Sequence, residues 1–154
     1  MVAVKTKPVV TMKFSGSCPT HSRTDVSVRD VEFTVDEPRE RDGTNLGPTP
    51  TETLVGALIG CTNVISNKIA AKHGIRIDRM DIDVEAQLDR RGVMLEEEID
   101  VPFPEIKLMV NVVTDADKAA IDTVKTELQK YCAISKVIRQ AGTKIVEEWT
   151  ITRP

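Results

Sequence analysis

Aromatic residues are scarce in this sequence: three Phe, one Tyr and one Trp make up 3% of its 154 residues. Proteins that stack on single-stranded nucleic acid need aromatic side chains on a basic surface, whereas the formal net charge here is -3. Because a nucleic-acid binder usually carries clustered positive charge, the composition argues against nucleic acid as a partner.

Long hydrophobic runs are also lacking. The longest apolar stretch, Leu54 to Ile65, has about a dozen residues, fewer than the roughly 20 that a transmembrane helix needs. The first ten residues hold no apolar core of signal-peptide length. We therefore expect a cytoplasmic protein that does not insert into a membrane.

Cysteine is rare as well, with only Cys18, Cys61 and Cys132 at irregular spacing. This spacing is not that of a secreted disulfide framework. Cys18 and His21 form a C-x-x-H motif, but a zinc site needs about four ligands, so the motif is a weak metal signal. In a reducing compartment, paired thiols are expected to be catalytic, metal-binding or simply buried.

The patterns that are present predict one α+β domain over residues 1–154, with antiparallel strands and a few helices packed on one side. Alternating apolar and polar residues predict strands at 8–15, 25–35, 79–89, 104–113 and 144–152. Helical spacing predicts a first helix from Thr49 to Gly74. A second helical region follows Thr114 and continues to Gly142, with a break near Cys132.

The first helix has clear start signals. Thr49 fits the N-cap and Glu52 the N3 position of a capping box, with Pro50 between them. Its middle is apolar nearly all round, which predicts burial on most sides. Gly56 and Gly60 each cost about 1 kcal/mol relative to Ala in a helix interior. We therefore expect another helix to approach closely at these two positions.

Cys61 lies in this helix and has two interpretations. A free cysteine is often a small buried hydrophobic residue, whereas a reactive one needs a cation or hydrogen-bond donors beside its thiolate. Arg39 and Arg41, in the loop 36–48 before the helix, either solvate the surface or hold a thiolate and a carboxylate with their planar donors. The capping box alone would explain Glu52.

Two segments carry a resemblance to a known family. The run from Arg41 to Cys61, RDGTNLGPTPTETLVGALIGC, resembles the signature of the OsmC/Ohr family, the osmotically inducible protein C and organic hydroperoxide resistance proteins. The tetrapeptide starting at Cys132, CAIS, resembles the family's second motif, in which Pro usually stands where this chain has Ala133. The resemblance implies antiparallel sheets wrapped around central helices in an intertwined homodimer.

The resemblance also implies an activity: a cysteine-based peroxidase for organic hydroperoxides or hydrogen peroxide, with no metal and no bound cofactor. By position, Cys61 would be the peroxidatic cysteine and Cys132 the resolving one, while Arg41 and Glu52 would be the family's arginine–glutamate pair. An external dithiol, for example a lipoyl-type dithiol, would be the reductant. The alternative is a catalytically weak dimer of this fold that binds a small apolar ligand at the subunit interface.

Helix geometry adds a constraint on the proposed site. Glu52 and Cys61 are nine residues apart, which places them on opposite faces of one straight helix and about 13.5 Å apart along its axis. If both belong to one site, a second chain must contribute. We therefore expect the first helices of two chains to pack together, with Glu52 of one chain nearer the Cys61 of the other.

Overall fold

The computed structural model describes residues 8–154, and the chain divides into two compact units, Met1–Leu54 and Val55–Pro154. The first unit contains β1 (Phe14–Ser17), β2 (Thr24–Val28), β3 (Val31–Val35) and a 3-10 turn at Arg39–Arg41. The helix α1 (Pro50–Lys72) begins in the first unit and continues in the second. The second unit then adds β4 (Arg79–Ala86), β5 (Glu105–Val113), α2 (Lys118–Tyr131), α3 (Ala133–Gln140) and β6 (Lys144–Thr152). The fold class is α+β, as the sequence predicts.

The first sheet is an antiparallel meander in the order β1-β2-β3. The sequence predicted β structure over residues 25–35 with a slip in the alternation around Arg29 and Asp30, and at that slip a tight turn divides the segment into β2 and β3. Val28 pairs with Val31 across that turn, and Arg29 between them has a φ of 55°. Two-residue hairpin turns require such left-handed conformations. The strand predicted at residues 8–15 begins only at Phe14.

The second sheet has the order β4-β5-β6. β4 pairs with β5 in the antiparallel direction, whereas β5 and β6 run parallel. The expectation of purely antiparallel strands was therefore wrong for this pair. A parallel pair needs a crossover of a dozen or more residues, and here α2 and α3 form that crossover.

The core of the second unit lies on one face of this sheet. Every second residue of β5 is buried, from Ile106 to Val112, and helix residues including Leu58, Ile121 and Ile138 pack against them. Burying one such side chain stabilises a fold by about 1.5–3 kcal/mol relative to leaving it exposed. The alternation that predicted β5 therefore also places the helices on the sheet.

The ends of α1 follow the sequence signals. The backbone N–H of Thr49 donates to Glu52 Oε2 at 2.8 Å, and the N–H of Glu52 donates to Thr49 Oγ1 at 3.2 Å, so the predicted capping box forms. Gly74 follows the last turn with a φ of 68°, a left-handed C-terminal signal. Both predicted ends of the helix are confirmed.

Burial along α1 differs from the expectation. The buried residues lie on one face: Leu58, Thr62, Ser66, Ile69 and Ala70. Gly56 and Gly60 are exposed, and a Cβ atom built on either would meet no atom within 4 Å. Within the part of the chain that the structure describes, only one face of this apolar helix is buried. α1 is also long and apolar enough to cross a membrane, a property that it shares with the core helices of soluble proteins. The uninterrupted apolar run from Leu54 to Ile65 therefore understates the apolar length of this helix.

Candidate functional site

Two free thiols meet in the second unit. The Sγ of Cys132 donates a hydrogen bond to the Sγ of Cys61, and the two sulfur atoms are 2.9 Å apart. Cys61 projects from α1 and is half-buried, whereas Cys132 is fully buried. Because a disulfide bond is about 2.05 Å long, only a small movement separates this dithiol from a disulfide.

A helix break places Cys132 opposite Cys61. α2 ends at Tyr131 and α3 begins at Ala133, so that Cys132 lies between them in an extended conformation. Its own N–H caps the end of α2, and its Sγ accepts from the N–H of Ser135 at 3.4 Å. Ala133 occupies the first helical position, the one that tolerates Pro. The break therefore forms without the proline that is usual in the second motif.

Burial keeps Cys132 protonated. Two effects raise the pKa of the Cys132 thiol to about 11: the larger is its removal from water, and the smaller is the hydrogen bond to Cys61. The backbone N–H groups of Ser135 and Ile134 oppose this rise but do not cancel it. At neutral pH Cys132 is therefore a thiol that can donate its proton, and Cys61 is the more accessible sulfur.

The surroundings of the thiol pair are apolar. Cys61 and Cys132 belong to a cluster of packed side chains that also contains Ile65, Ile69, Ala70, Val124, Leu128, Ile134 and Trp149. Apolar surroundings disfavour a thiolate, which agrees with the raised pKa of Cys132. They also offer a surface for the organic part of a small molecule.

A polar network lies beneath α3 in the same unit. Arg139 contacts Ser135 and the carboxylate of Glu147, and that carboxylate also accepts from the indole of Trp149. The sequence analysis did not single out these residues. The available signal was the spacing of Ser135 and Arg139, four residues apart on one helix face, directly after the second motif.

Arg41 and Glu52 both lie in the first unit. Glu52 accepts from the N–H of Thr49, and this bond, together with a more distant contribution from Arg41, holds the pKa of Glu52 below its ordinary value. The direct carboxylate partner of Arg41 is Glu37, with Nε and Oε2 2.6 Å apart. Arg39 lies in the same 3-10 turn and is exposed.

A buried carboxylate organises the loop that carries these arginines. Asp36 is fully buried and accepts from the hydroxyl and the N–H of Thr44 and from the N–H of Leu46. It also accepts from the N–H of Glu37 at 2.8 Å. These donors, the Thr44 hydroxyl first, hold the pKa of Asp36 far below its ordinary value. The sequence placed Asp36 in a polar loop, in a segment Asp36-Glu37-Pro38 that resembles an OsmC-like branch of the family, but did not predict that its carboxylate is buried.

Two glycines allow the same loop to fold back closely. A Cβ atom on Gly43 would lie 1.8 Å from the carbonyl oxygen of Glu37, and one on Gly47 would lie 2.1 Å from that of Thr34. Only glycine fits at such distances. The backbone of the loop before α1 is therefore closely packed at these two positions.

The predicted site residues thus fall into two groups. Cys61 and Cys132 are brought together in the second unit, while Arg41 and Glu52 belong to the first. Cys18 is exposed, with its Sγ 3.7 Å from the hydroxyl oxygen of Thr24. Within residues 8–154, no group of three or more His, Cys, Asp or Glu side chains is arranged to hold a metal ion.

In a comparison of the sequence with family models, the OsmC family, described as OsmC-like protein, matches residues 43–148. The match includes Glu52, Cys61 and Cys132 and begins two residues after Arg41. No significant match is found among curated protein sequences.

Solved structures share this fold over nearly the whole chain. An OsmC-like protein from Mycoplasma pneumoniae has a TM-score of 0.78 at 17% identity, covering 93% of this chain and 98% of its own. A Legionella pneumophila structure described as an organic hydroperoxide resistance protein OsmC has a TM-score of 0.68 at 15% identity, covering 94% and 99%. The organic hydroperoxide resistance protein OhrB of Bacillus subtilis has a TM-score of 0.62 at 18% identity, covering 92% and 98%. At these identities the likeness shows the fold.

Proposed function

Because the chain belongs to the OsmC-like protein family, we propose that it is a thiol-dependent peroxidase that reduces organic hydroperoxides or hydrogen peroxide. The observation that carries this proposal is the pair of free thiols, Cys61 and Cys132, whose sulfur atoms lie 2.9 Å apart. Two of the structures that share the fold are named organic hydroperoxide resistance proteins, which supports the choice of substrate class.

In the first step, the thiolate of Cys61 attacks one oxygen of the hydroperoxide. An S–O bond forms and the O–O bond breaks, so that sulfur is oxidised and the peroxide is reduced. The departing alkoxide takes up a proton and leaves as an alcohol, or as water when the substrate is hydrogen peroxide. Cys61 is then a sulfenic acid.

In the second step, the sulfur of Cys132 attacks the sulfur of Cys61. An S–S bond forms, the S–O bond breaks, and the departing hydroxide leaves as water with the proton that Cys132 held. The raised pKa of Cys132 keeps that proton available at neutral pH. An external dithiol, such as a lipoyl-type dithiol, then reduces the disulfide by thiol–disulfide exchange and is itself oxidised.

Arg41 and Glu52 complete the proposed site. The guanidinium of Arg41 would stabilise the Cys61 thiolate and polarise the departing oxygen, while Glu52 orients the guanidinium. Since α1 is continuous from Pro50 to Lys72, the helix geometry that separates Glu52 from Cys61 within one chain applies. We therefore propose that the working form is a homodimer. From the composition and charge of the sequence, we further propose that it is cytoplasmic and has no membrane or nucleic-acid partner.

Thiol titration tests the proposed activity. In a Cys18→Ser background, which leaves only Cys61 and Cys132, one equivalent of cumene hydroperoxide should remove both free thiols and yield one equivalent of cumyl alcohol. The alternative function, a dimer that binds a small apolar ligand, is supported by the apolar surroundings of the thiols. In that case both thiols persist after the addition of peroxide.

Substitution of Gly60 tests the dimer. Ala is favoured over Gly by about 1 kcal/mol in a helix interior, and a Cβ atom at Gly60 meets no atom of residues 8–154 within 4 Å. Gly60→Ala should therefore stabilise a monomer. If two α1 helices pack at this face, the same change should instead lower Tm and weaken association. Light scattering should show a wild-type dimer, whose interface we expect to exceed roughly 2,000 Å²; an active monomer at micromolar concentration would contradict the proposal.

A further inference from the structure

An ion pair connects β6 to α3, in which Glu147 is buried and Arg139 is partly exposed. The side chain of Glu147 is only 5% exposed, and both of its carboxylate oxygens have partners. Oε1 accepts from an Nη of Arg139 at 3.0 Å, and Oε2 accepts from Trp149 Nε1 at 3.2 Å. A buried carboxylate needs such donors to remain charged, and here the donors fix its orientation.

Arg139 uses every nitrogen of its guanidinium. Besides Glu147, it donates to the carbonyl oxygen of Ile145 at 3.1 Å through its other Nη, and to the hydroxyl of Ser135 at 3.3 Å through Nε. The first two acceptors belong to β6 and the third belongs to the first turn of α3. The planar guanidinium therefore links one turn of helix to the strand beneath it.

Ser135 connects Arg139 to the thiol pair. Its backbone N–H donates to the Sγ of Cys132 at 3.4 Å, so the orientation of this turn sets where the Cys132 sulfur points. α3 has only eight residues, and helices shorter than about 12 residues are marginal without tertiary contacts. The contacts that hold α3 therefore decide the geometry of the thiol pair.

We propose that Arg139, held by Glu147, is a positioning residue that aims the Cys132 sulfur at Cys61. The inference deepens the proposed peroxidase function and rests on it for its biological purpose. The positioning itself can be measured without peroxide, because any disulfide oxidant can join the two thiols. The competing explanation is that apolar packing by Ile134 and Ile138 suffices to hold α3.

Oxidised glutathione provides the measurement. The Cys61 thiolate attacks it to form a mixed disulfide and releases one glutathione thiol; Cys132 then attacks the Cys61 sulfur and releases the second. One disulfide is consumed and one is formed, with two glutathione thiols as products. In a Cys18→Ser background, acid quenching and mass spectrometry separate the two steps by mass.

Arg139→Met removes the donors but keeps most of the side-chain volume. We expect the second step to slow by about tenfold, because small misplacements of reacting groups are costly. The first step should keep its rate, so the mixed disulfide accumulates. Lys136→Met is the matched control, since it removes one positive charge from an exposed position on the same helix. It should close the disulfide at the wild-type rate.

Arg139→Met also removes the charged partner of the buried Glu147 and leaves it the N–H of Trp149 as a donor, which is destabilising in itself. The double variant Arg139→Met/Glu147→Gln removes both charges and should recover much of the lost stability while closure stays slow. Recovered stability together with wild-type closure would overturn the proposal in favour of apolar packing. Arg139→Lys retains the charge without the planar donors and should also form the Cys61–Cys132 disulfide slowly. If the other variants do not fold, the rate of disulfide formation in Arg139→Lys tests the positioning role.

The experiments can reject the peroxidase function and the positioning role of Arg139 independently of each other. Normal closure by oxidised glutathione with no reaction toward cumene hydroperoxide would reject the peroxidase function and leave the positioning role in place. If a folded Arg139→Met variant reacts with peroxide at the wild-type rate in every step, the positioning role alone is rejected.

Discussion

Asp36 and Cys132 are equally buried, at 0% relative exposure, yet their ionisation is shifted in opposite senses. Asp36 accepts hydrogen bonds from the N–H and hydroxyl groups of its loop, and the pKa of its carboxyl falls far below the ordinary value. The pKa of Cys132 rises to about 11, because burial outweighs the N–H groups near its sulfur. Burial alone therefore does not set the charge of a group; the donors that accompany it do.

The difference matches two uses of a buried polar atom. The loop 36–48 needs a permanent anion around which the backbone can fold, and its donors converge on Asp36. In the proposed reaction, Cys132 would keep its proton until the neighbouring sulfur has been oxidised. The predictions that follow perturb one region or the other, beginning with the largest effect.

Removing a sulfur should have the largest effect. Cys61→Ser should reduce peroxide consumption to the background rate, because the attacking sulfur is lost. Cys132→Ser should stop turnover after one event and leave a sulfenic acid on Cys61 that a dimedone-type reagent traps. Cys18→Ser is the control and should leave turnover nearly unchanged; a large loss in that variant would assign the resolving role to Cys18.

Removing charge from the loop should have an intermediate effect on the thiols. If Arg41 stabilises the Cys61 thiolate, Arg41→Ala should slow alkylation of Cys61 by iodoacetamide at pH 7 by about tenfold, equivalent to roughly 1.4 kcal/mol. Arg39→Ala removes the same charge two residues away and should have little effect. A larger effect of Arg39→Ala would transfer the role to that residue.

Acid unfolding should show the contribution of Asp36. Its pKa is lower in the folded protein than in the unfolded chain, so its stabilisation is complete above the unfolded value near 4 and is lost as the pH falls below it. Asp36→Asn should lower Tm at pH 7 and flatten the decline of Tm from about pH 4 to pH 2. Asp30→Asn, at the exposed turn between β2 and β3, is the control and should follow the wild-type curve.

Removing a single donor should have the smallest effect. Thr44→Val keeps the shape of the side chain but removes the hydroxyl that contributes most to lowering the pKa of Asp36. The carboxyl pKa, followed by NMR through the side-chain carbon, should move upward toward its ordinary value without reaching it, because the backbone N–H donors remain. An unchanged pKa would show that those backbone donors suffice.

Much of the fold could be predicted because its signals are local. The capping box at Thr49 and Glu52, the left-handed Gly74 and the alternation in β5 each depend on neighbouring residues, and each was predicted from them. The parallel pairing of β5 and β6 depends on where a long crossover returns, which no local pattern records. The alternation slips around Arg29 and Asp30, but that slip did not by itself predict a tight turn with a positive φ at Arg29.

The site divides in the same way. Cys61 and Cys132 could be singled out by the helices that carry them and by the family motifs, and the structure brings their sulfurs together. The burial of Asp36 and the contacts of Arg139 could not be predicted, since each depends on which distant backbone atoms approach a side chain. The assignment of Arg41 and Glu52 to the same site as the thiols stays a prediction.

The position of Cys132 within the crossover also matters during synthesis. It follows Cys61 by 71 residues, so at 5–20 residues per second the ribosome produces Cys61 roughly 4 to 14 seconds before its partner. Cys132 reaches α1 only when the crossover closes, and the parallel pairing of β5 with β6 requires that β6 has been synthesised. A nascent chain therefore carries an unpaired Cys61 until the crossover and β6 have emerged, and during this interval the thiol is most open to irreversible oxidation.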